Sequence, residues 1–274
     1  MAQVPTITLN DGRAIPQLGI GVWQVSTDDI VPTVSKALEV GYRHVDTAQG
    51  YQNEEGVGEA IANSGISRDE LWVTTKLANG KHERSDAVAE LKISLEKLRL
   101  DHVDLYLIHW PTPSSGDYVE TWKGMQDALD QGLAKSIGVS NFQPAHLDKI
   151  IEATGKTPAV NQIEVHPTFA NQTAVDGSSK HGINVESWSP LGLGSDLKNA
   201  TVGEIAQATG KTPAQVILRW HLQKGYIVFP KSVTPSRIEE NFDVFDFELS
   251  DDDIAKIDAL DEGNRTGPDP DNFG

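Results

Sequence analysis

The sequence predicts a single-domain (β/α)8 TIM barrel. Short apolar segments with the character of buried strands alternate with longer segments whose apolar residues recur at helical spacing. Eight such strands can be counted along the 274 residues, and no Pro- or Ser-rich linker separates any two of them. This alternation indicates parallel βα units, and barrels often run to about 250 residues as one domain. We therefore expect one domain over residues 1–274.

The predicted strands are apolar and rich in β-branched residues, as strands buried on both faces of a parallel sheet are. In chain order they cover residues 18–23, 43–46, 71–76, 103–109, 136–139, 159–165, 184–188 and 226–229. Ahead of them, residues 6–9 and 14–17 flank Asp11 and Gly12, a pair that favours a tight hairpin turn. An N-terminal β-hairpin is therefore predicted before the barrel.

The predicted helices have apolar residues at every third or fourth position. The first is expected to begin near residues 27–29, where the Thr27 hydroxyl can cap it, and to end at Gly41. The others lie near residues 57–61, 88–98, 118–129, 144–153, 171–180, 202–208, 214–222 and 250–260. Segment 171–180 has the weakest periodicity, and the extra C-terminal helices follow the seventh strand. The last dozen residues are expected to lie as a tail over the surface or the barrel mouth.

Composition excludes several classes of protein. The chain has 23 Lys and Arg against 40 Asp and Glu, a net charge of −17, which argues against non-specific binding to nucleic acid or to anionic membranes. No apolar run reaches the ~18 residues of a membrane-spanning helix, and the N-terminus lacks the features of a signal peptide. The absence of cysteine fits a reducing compartment. We expect a cytoplasmic, mainly monomeric protein.

Ionisable residues end three consecutive predicted strands. The second, third and fourth strands end at Asp46, Lys76 and His109, and Tyr51 lies shortly after Asp46. Because catalytic groups of a (β/α)8 barrel lie at the C-terminal ends of its strands, these four side chains are expected to meet over one barrel mouth.

Six motifs resemble those of the aldo-keto reductase superfamily and occur in the family's order. They lie at residues 44–48, 51–54, 75–76, 108–111, 137–142 and 230–235. The resemblance covers about residue 6 to residue 260, and residues 265–271 resemble the prokaryotic branch that includes the 2,5-diketo-D-gluconate reductases. It implies NADPH-dependent reduction of aldehydes, ketones or dicarbonyls, including keto-sugar acids, to alcohols.

Carbonyl reduction needs a hydride, which comes from a cofactor, and a proton donor. A free Tyr has a pKa of about 10 and is a poor acid at neutral pH, but a nearby ammonium lowers that pKa. The resemblance assigns Tyr51 as the acid, Lys76 and Asp46 as the pair that tunes it, and His109 as the group that orients the substrate. Taken singly, each residue fits an ordinary ion pair or structural histidine.

The expected nicotinamide site does not rest on a Rossmann motif. Residues 19–24 begin like the dinucleotide fingerprint but lack its third glycine and the later acidic residue. The resemblance instead places the nicotinamide across the barrel mouth, with its carboxamide on Ser140, Asn141 and Gln162. Trp188 would stack on its face, unless it is a plain core aromatic. The cofactor set also includes Gly21, Ser189 and Leu191.

The other end of the cofactor is expected at the start of a late helix. The residues concerned are Lys231, Ser232, Val233, Thr234, Arg237, Glu240 and Asn241. Cations and hydroxyls beside a helix N-terminus form a phosphate site, and the set resembles the family's adenosine 2′-phosphate pocket. NADPH is therefore expected to bind better than NADH; the alternative is a solvated, charged helix start.

On the substrate side the resemblance implies Trp23, Gln49 and Trp110, with the tail around Phe273. Ala78 stands where the family often has Trp, which would widen the pocket. The loop over residues 192–199 is short for one that straps the cofactor.

Two rival classes of function remain. A metal enzyme is disfavoured, because His44, His109 and His166 fall on different strands and no zinc-binding motif is present. A cofactor-binding regulatory or structural protein could retain the reductase fold, but the presence of both Tyr51 and Lys76 favours an enzyme.

Overall fold

The structure, a computed structural model, describes residues 4–273. Within these residues, eight parallel strands follow one another around a barrel in chain order. They are β3 Ile20–Gly21, β4 His44–Asp46, β5 Trp72–Leu77, β6 Val103–Ile108, β7 Ala134–Ser140, β8 Val160–Glu164, β9 Asn184–Trp188 and β10 Ile227–Val228. The predicted order of strands is confirmed.

The barrel closes at a seam between its first and last strands. Leu18 bridges Val228 in parallel, the Gly19 amide donates to the Val228 carbonyl at 3.0 Å, and the Val228 amide donates to the Gln17 carbonyl at 3.0 Å. A Cβ built on Gly19 would lie 2.9 Å from the His44 carbonyl, so only glycine allows this approach.

The predicted hairpin covers the bottom of the barrel. Strands β1 Thr6–Thr8 and β2 Ala14–Pro16 pair antiparallel, with Gly12 in the left-handed region at φ +85°. The Asn10 side chain donates to the Pro158 carbonyl at 2.8 Å, and Asp11 accepts from the Ser136 hydroxyl at 2.6 Å. These bonds join the turn to the lower ends of the barrel strands.

The helices that alternate with the strands are α1 Ile30–Val40, α2 Glu54–Asn63, α3 Arg84–Leu98, α4 Tyr118–Asp130, α5 Pro144–Thr154, α6 Gln172–Lys180, α7 Ala200–Thr209, α8 Pro213–Gln223, α9 Pro235–Phe242 and α10 Asp251–Asp258. Within residues 4–273, each helix is too short or too polar to cross a membrane.

The N-terminal cap of one predicted helix is wrong, and a second helix forms as predicted although its sequence pattern is weak. The expected cap at Thr27 is wrong: α1 begins after Asp29, because Ser26 and Asp29 bond each other and form a turn that delays the helix. Helix α6 is formed despite its weak periodicity. A Cβ on Gly177 would lie 2.7 Å from Pro144, so the small residues of α6 allow close packing against α5.

The two ends of the barrel interior differ in chemistry. Near the hairpin the lumen is apolar, with Leu105, Leu107, Ile227 and Phe229 in one buried cluster. At the C-terminal ends of the strands the buried side chains are ionisable or amide groups, with Lys76 completely buried. Burying a charged group costs free energy unless the group is paired. The ionisable side chains at this end are therefore not explained by core packing alone and mark the candidate functional site.

Candidate active site

The site centres on Lys76, at the end of β5. Its Nζ donates to Asp46 Oδ1 at 2.7 Å and to the Thr47 carbonyl at 2.9 Å. Burial alone would lower the pKa of Lys76, but the charge and the hydrogen bond of the Asp46 carboxylate outweigh it and leave the pKa above its ordinary value. Lys76 is therefore an ammonium ion at neutral pH.

Tyr51 lies beside this ion pair, at the end of a short 3₁₀ turn that follows β4. Lys76 Nζ is 5.1 Å from the centre of its ring, and the ring of His109 meets it edge-on with centroids 5.6 Å apart. Burial raises the pKa of Tyr51, and the opposing effect of Lys76 does not reverse this. Lys76 acts in the expected direction, but the expected net lowering of the pKa is not seen.

His109 is electrically neutral. Burial, and to a lesser degree the charge of Lys76, lower the pKa of His109 to about 3. A neutral imidazole can accept or donate a hydrogen bond without adding a second cation to the site. The structure thus brings together Asp46, Tyr51, Lys76 and His109, which we call the tyrosine cluster.

Amide and hydroxyl groups line the neighbouring strand ends. Ser140 donates to the Gln162 carbonyl at 2.8 Å, and Asn141 Nδ2 donates to the His109 carbonyl at 3.0 Å. Asn141 Oδ1 accepts from Trp188 Nε1 at 2.8 Å. All four residues named for the nicotinamide therefore lie within one bonded group at the ends of β7, β8 and β9.

Gln162 connects this group to the tyrosine cluster. Its Nε2 donates to Asp46 Oδ2 at 2.9 Å and to Glu186 Oε2 at 2.8 Å. Glu186 was not among the expected site residues. A signal for it existed in the sequence, since an acidic residue in the middle of a buried strand needs an explanation.

The expected phosphate site begins just beyond β10. Lys231, Val233, Thr234 and Arg237 are exposed, whereas Ser232 and Asn241 are buried. Thr234 is the N-cap residue of α9, but its side chain makes no capping hydrogen bond there. Glu240 accepts from the Thr212 hydroxyl at 2.9 Å and so is partly engaged by α8.

The remaining positions expected for the cofactor lie at the same end, Gly21 as the last residue of β3 and the other two on a turn after β9. The Gly21 amide donates to the Pro230 carbonyl at 3.3 Å, and a Cβ on Gly21 would lie 3.1 Å from the Phe229 carbonyl. Ser189 has a left-handed φ of +48°, and its carbonyl accepts a hydrogen bond from the Gly192 amide, which forms a turn. Leu191 follows within this turn, half-buried.

The three residues expected to contact the substrate differ in their exposure and in their contacts. Trp23 is 46% exposed, and Trp110 packs against Phe273 with ring centroids 4.5 Å apart. The amide of Gln49 is engaged at both ends, since Oε1 accepts from the Ala78 amide and Nε2 donates to Glu90. Gln49 therefore braces β5 against α3.

A second buried ionic group, absent from the sequence expectations, lies nearby. His166 contacts Asp196 Oδ2 through Nδ1 at 2.9 Å and Glu164 Oε1 through Nε2 at 3.2 Å. Burial alone would lower the pKa of His166, but the two carboxylates raise it to about 9. We call Glu164, His166 and Asp196 the histidine clasp.

The histidine clasp holds the tail. Glu164 also accepts from the Thr266 amide at 2.7 Å and from the Gly267 amide at 3.0 Å. The loop that carries Asp196 and the tail are thus joined to the end of β8 through one charged group. Gly267 lies against Trp188, since a Cβ on it would be 2.4 Å from the indole ring.

Comparison with known proteins gives a consistent result. Residues 16–262 match the aldo/keto reductase family. The chain is 51% identical over 276 residues to methylglyoxal reductase DkgA of Escherichia coli (strain K12), with 100% of both chains covered. It is 52% identical over 269 residues to an aldo-keto reductase of Mycolicibacterium smegmatis (strain ATCC 700084 / mc(2)155), with 98% of both covered.

Solved structures agree with these sequence matches. A mutant of Gox0644 in complex with NADPH gives a TM-score of 0.95, with 45% identity and 100% of both chains covered. An aldo-keto reductase of Bombyx mori in complex with NADP gives 0.93, with 39% identity, covering 100% of this chain and 98% of that one. The predicted barrel fold is confirmed.

Proposed function

This chain belongs to the aldo/keto reductase family, and we propose that it reduces aldehydes, ketones or dicarbonyls to alcohols with NADPH. The observation that carries the proposal is the tyrosine cluster, in which a hydroxyl, an ammonium and a neutral imidazole lie together at the barrel mouth. A hydroxyl beside an ammonium can donate a proton to a developing alkoxide, because the positive charge stabilises the phenolate that is left.

The side chains present fit NADPH. Ser140, Asn141 and Gln162 would hold its carboxamide and Trp188 would stack on its nicotinamide ring. Two exposed cations, Lys231 and Arg237, beside the start of α9 suit the extra phosphate that distinguishes NADPH from NADH. Relatives crystallised with NADPH and NADP support this choice. When bound, the cofactor supplies the hydride.

In the proposed mechanism, His109 orients the substrate carbonyl and Tyr51 delivers the proton to its oxygen. The ammonium of Lys76 stabilises the phenolate that Tyr51 becomes, because an adjacent positive charge favours the charged form of a phenol. Asp46 holds that ammonium 2.7 Å from its carboxylate and keeps it in place. Because the pKa of Tyr51 is raised, the phenol remains protonated until the transfer.

We place small dicarbonyls first among the substrates. Relatives named methylglyoxal reductase match the whole chain, and Ala78 leaves more room than the Trp common in the family. The resemblance of the tail to that of 2,5-diketo-D-gluconate reductases adds keto-sugar acids to the candidates.

The deciding experiment is NADPH consumption with three carbonyl substrates: a plain aldehyde, methylglyoxal and 2,5-diketo-D-gluconate. We expect turnover of at least one, with NADPH preferred over NADH. Tight binding of NADPH without turnover of any of the three would favour the alternative, a cofactor-binding regulatory or structural protein.

Two further properties belong to this proposal. We expect a mainly monomeric protein that works in the cytoplasm, and the net charge of −17 argues against non-specific binding to nucleic acid or anionic membranes. Light scattering at micromolar concentration tests the first, and a stable dimer would overturn it. Cell fractionation tests the second, and recovery of the native protein outside the cytoplasmic fraction would overturn it.

A further inference from the structure

We propose that Glu186 is a positioning residue of the reductase site, which works as a neutral carboxylic acid and holds the amide of Gln162 against Asp46. The proposal rests on the proposed function, since Glu186 is assigned a part in orienting the side chain that links the tyrosine cluster to the nicotinamide site.

The position of Glu186 is unusual for an acidic residue. It lies in the middle of β9, pairs in register with Gln162 of β8 and Ile227 of β10, and is completely buried. Oε2 accepts from Gln162, whereas Oε1 has no hydrogen-bond donor within residues 4–273. A buried carboxylate needs hydrogen-bond donors or a cation to offset its lost hydration, so an oxygen that has neither favours the neutral acid over the ion.

The charges around Glu186 lead to the same assignment. Asp46 of β4 and Lys76 of β5 are the charged groups that face it, while Gln162 of β8 is neutral and β10 contributes the apolar Ile227. The one ammonium is already committed to Asp46 and to the Thr47 carbonyl. Ionised Glu186 would leave a second carboxylate without a cation, next to the first. Burial and the charge of Asp46 accordingly raise the pKa of Glu186 to about 8.

This arrangement orients Gln162. Asp46 accepts from Gln162 Nε2, so the amide nitrogen must face the two carboxyl groups, and the carbonyl oxygen is the end that neither of them uses. That end can accept a hydrogen bond from the amide of a nicotinamide carboxamide. Loss of the proton from Glu186 would add a negative charge beside the tyrosine cluster, disfavour the Tyr51 phenolate and slow reduction.

The protonation state can be measured on the cofactor-free protein by infrared spectroscopy. We expect the carbonyl stretch of a protonated carboxyl group to persist at neutral pH and to disappear around pH 8, where Glu186 loses its proton. Glu186→Gln should abolish this band. A wild-type spectrum without the band at neutral pH would overturn the assignment, whether or not the variant folds.

The role in the reaction is tested by the pH profile of reduction. Glu186→Gln mimics the neutral acid, so it should keep the wild-type rate at neutral pH and lose the decline that the wild type shows around pH 8. Glu186→Ala removes the partner of Gln162 and should raise the KM for NADPH about 2- to 10-fold, the effect of one neutral hydrogen bond, with less effect on kcat. Profiles of the wild type and Glu186→Gln that superimpose would overturn the role.

Glu164→Gln is the matched control, because Glu164 is also a buried acid at a strand end but lies in the histidine clasp. It should keep the decline around pH 8. The outcomes also separate the two proposals. An infrared titration without any carbonyl reduction contradicts the proposed function alone, whereas reduction with superimposable profiles contradicts only the role of Glu186.

Discussion

The tyrosine cluster, in which Tyr51 and His109 are half-buried, and the fully buried histidine clasp lie at the same end of the barrel. Each contains a histidine, yet the two histidines carry different charges. The pKa of His109 is lowered to about 3 by burial and Lys76, whereas that of His166 is raised to about 9 because Asp196 and Glu164 outweigh its burial. Burial acts in the same direction on both, so the neighbours decide the charge.

The comparison also separates two uses of buried charge. In the histidine clasp each ring nitrogen of His166 has a carboxylate partner, and the group joins a loop and the tail to β8. In the tyrosine cluster, neither ring nitrogen of His109 bonds to another residue among those described, so the imidazole is available to a substrate. We expect the tyrosine cluster to govern rate and the histidine clasp to govern stability.

The largest expected effect is on rate. Tyr51→Phe keeps the ring and removes the proposed proton donor, so reduction of a plain aldehyde should fall about 10²–10⁴-fold while NADPH still binds. Lys76→Met should impair the same step, because the phenolate loses its stabilising charge. Steady-state kinetics and cofactor titration measure the two quantities.

Tyr226→Phe is the control for this loss. Tyr226 is buried at the N-terminal end of β10, whereas the barrel mouth lies at the C-terminal ends of the strands. It should leave kcat unchanged. A plain aldehyde is needed because a dicarbonyl, activated by its second carbonyl, depends least on the acid. Near wild-type reduction by Tyr51→Phe would make His109 the next candidate for the proton donor.

The next effect is on stability. His166→Leu leaves Glu164 and Asp196 buried without their cation and should cost about 3–5 kcal/mol of unfolding free energy in urea. His181→Leu is the surface control, because His181 contacts Asp148 at 2.6 Å where the aspartate is half exposed. That change should cost only about 0–1 kcal/mol. Equal losses would break the distinction between the two regions.

The charge of His166 also predicts how stability varies with pH. Its pKa is higher in the folded protein, at about 9, than the ordinary value of 6.5, so the stabilisation is complete below pH 6.5 and is lost as pH rises through about 9. The difference corresponds to about 3 kcal/mol. Urea unfolding across this range should show the loss in the wild type and in Glu186→Gln, but His166→Gln should lack it.

The smallest expected effect is on NADPH binding, through the exposed cation Arg237. Arg237→Ala should weaken NADPH binding by about 1.5–3 kcal/mol, the value of a charged hydrogen bond, and leave NADH binding almost unchanged. Lys92→Ala removes an exposed charge from α3 and should alter neither. Fluorescence titration with both cofactors measures this, and equal weakening of the two would contradict a phosphate site at Arg237.

Much of the fold and of the tyrosine cluster could be predicted from the sequence, because both rest on local signals. Apolar runs mark the strands, and strand order places Asp46, Lys76 and His109 at one end of a parallel barrel. The motif that includes Tyr51 needed no knowledge of distant contacts. The reductase family and the barrel are both confirmed.

What escaped prediction depends on contacts between distant parts of the chain. Glu164 meets Thr266 across 102 residues, and no local pattern indicates that pairing. The proposed role of Glu186 depends on its neighbours Gln162 and Asp46, which lie on two other strands. The balance between burial and charge at Tyr51 likewise depends on how deeply the hydroxyl is enclosed, which spacing does not reveal.

The seam between β3 and β10 is the part of the barrel that we expect to open most readily. Strands β3 and β10 contribute two residues each, whereas β5 and β6 contribute six each. Local opening favours regions with few backbone hydrogen bonds, so the Gly19 and Val228 amides should exchange with deuterium before those in the middle of β6. Lys231 lies three residues after the last residue of β10. A cofactor bound at Lys231 would favour the form in which the seam is closed, and so would slow the exchange of these amides.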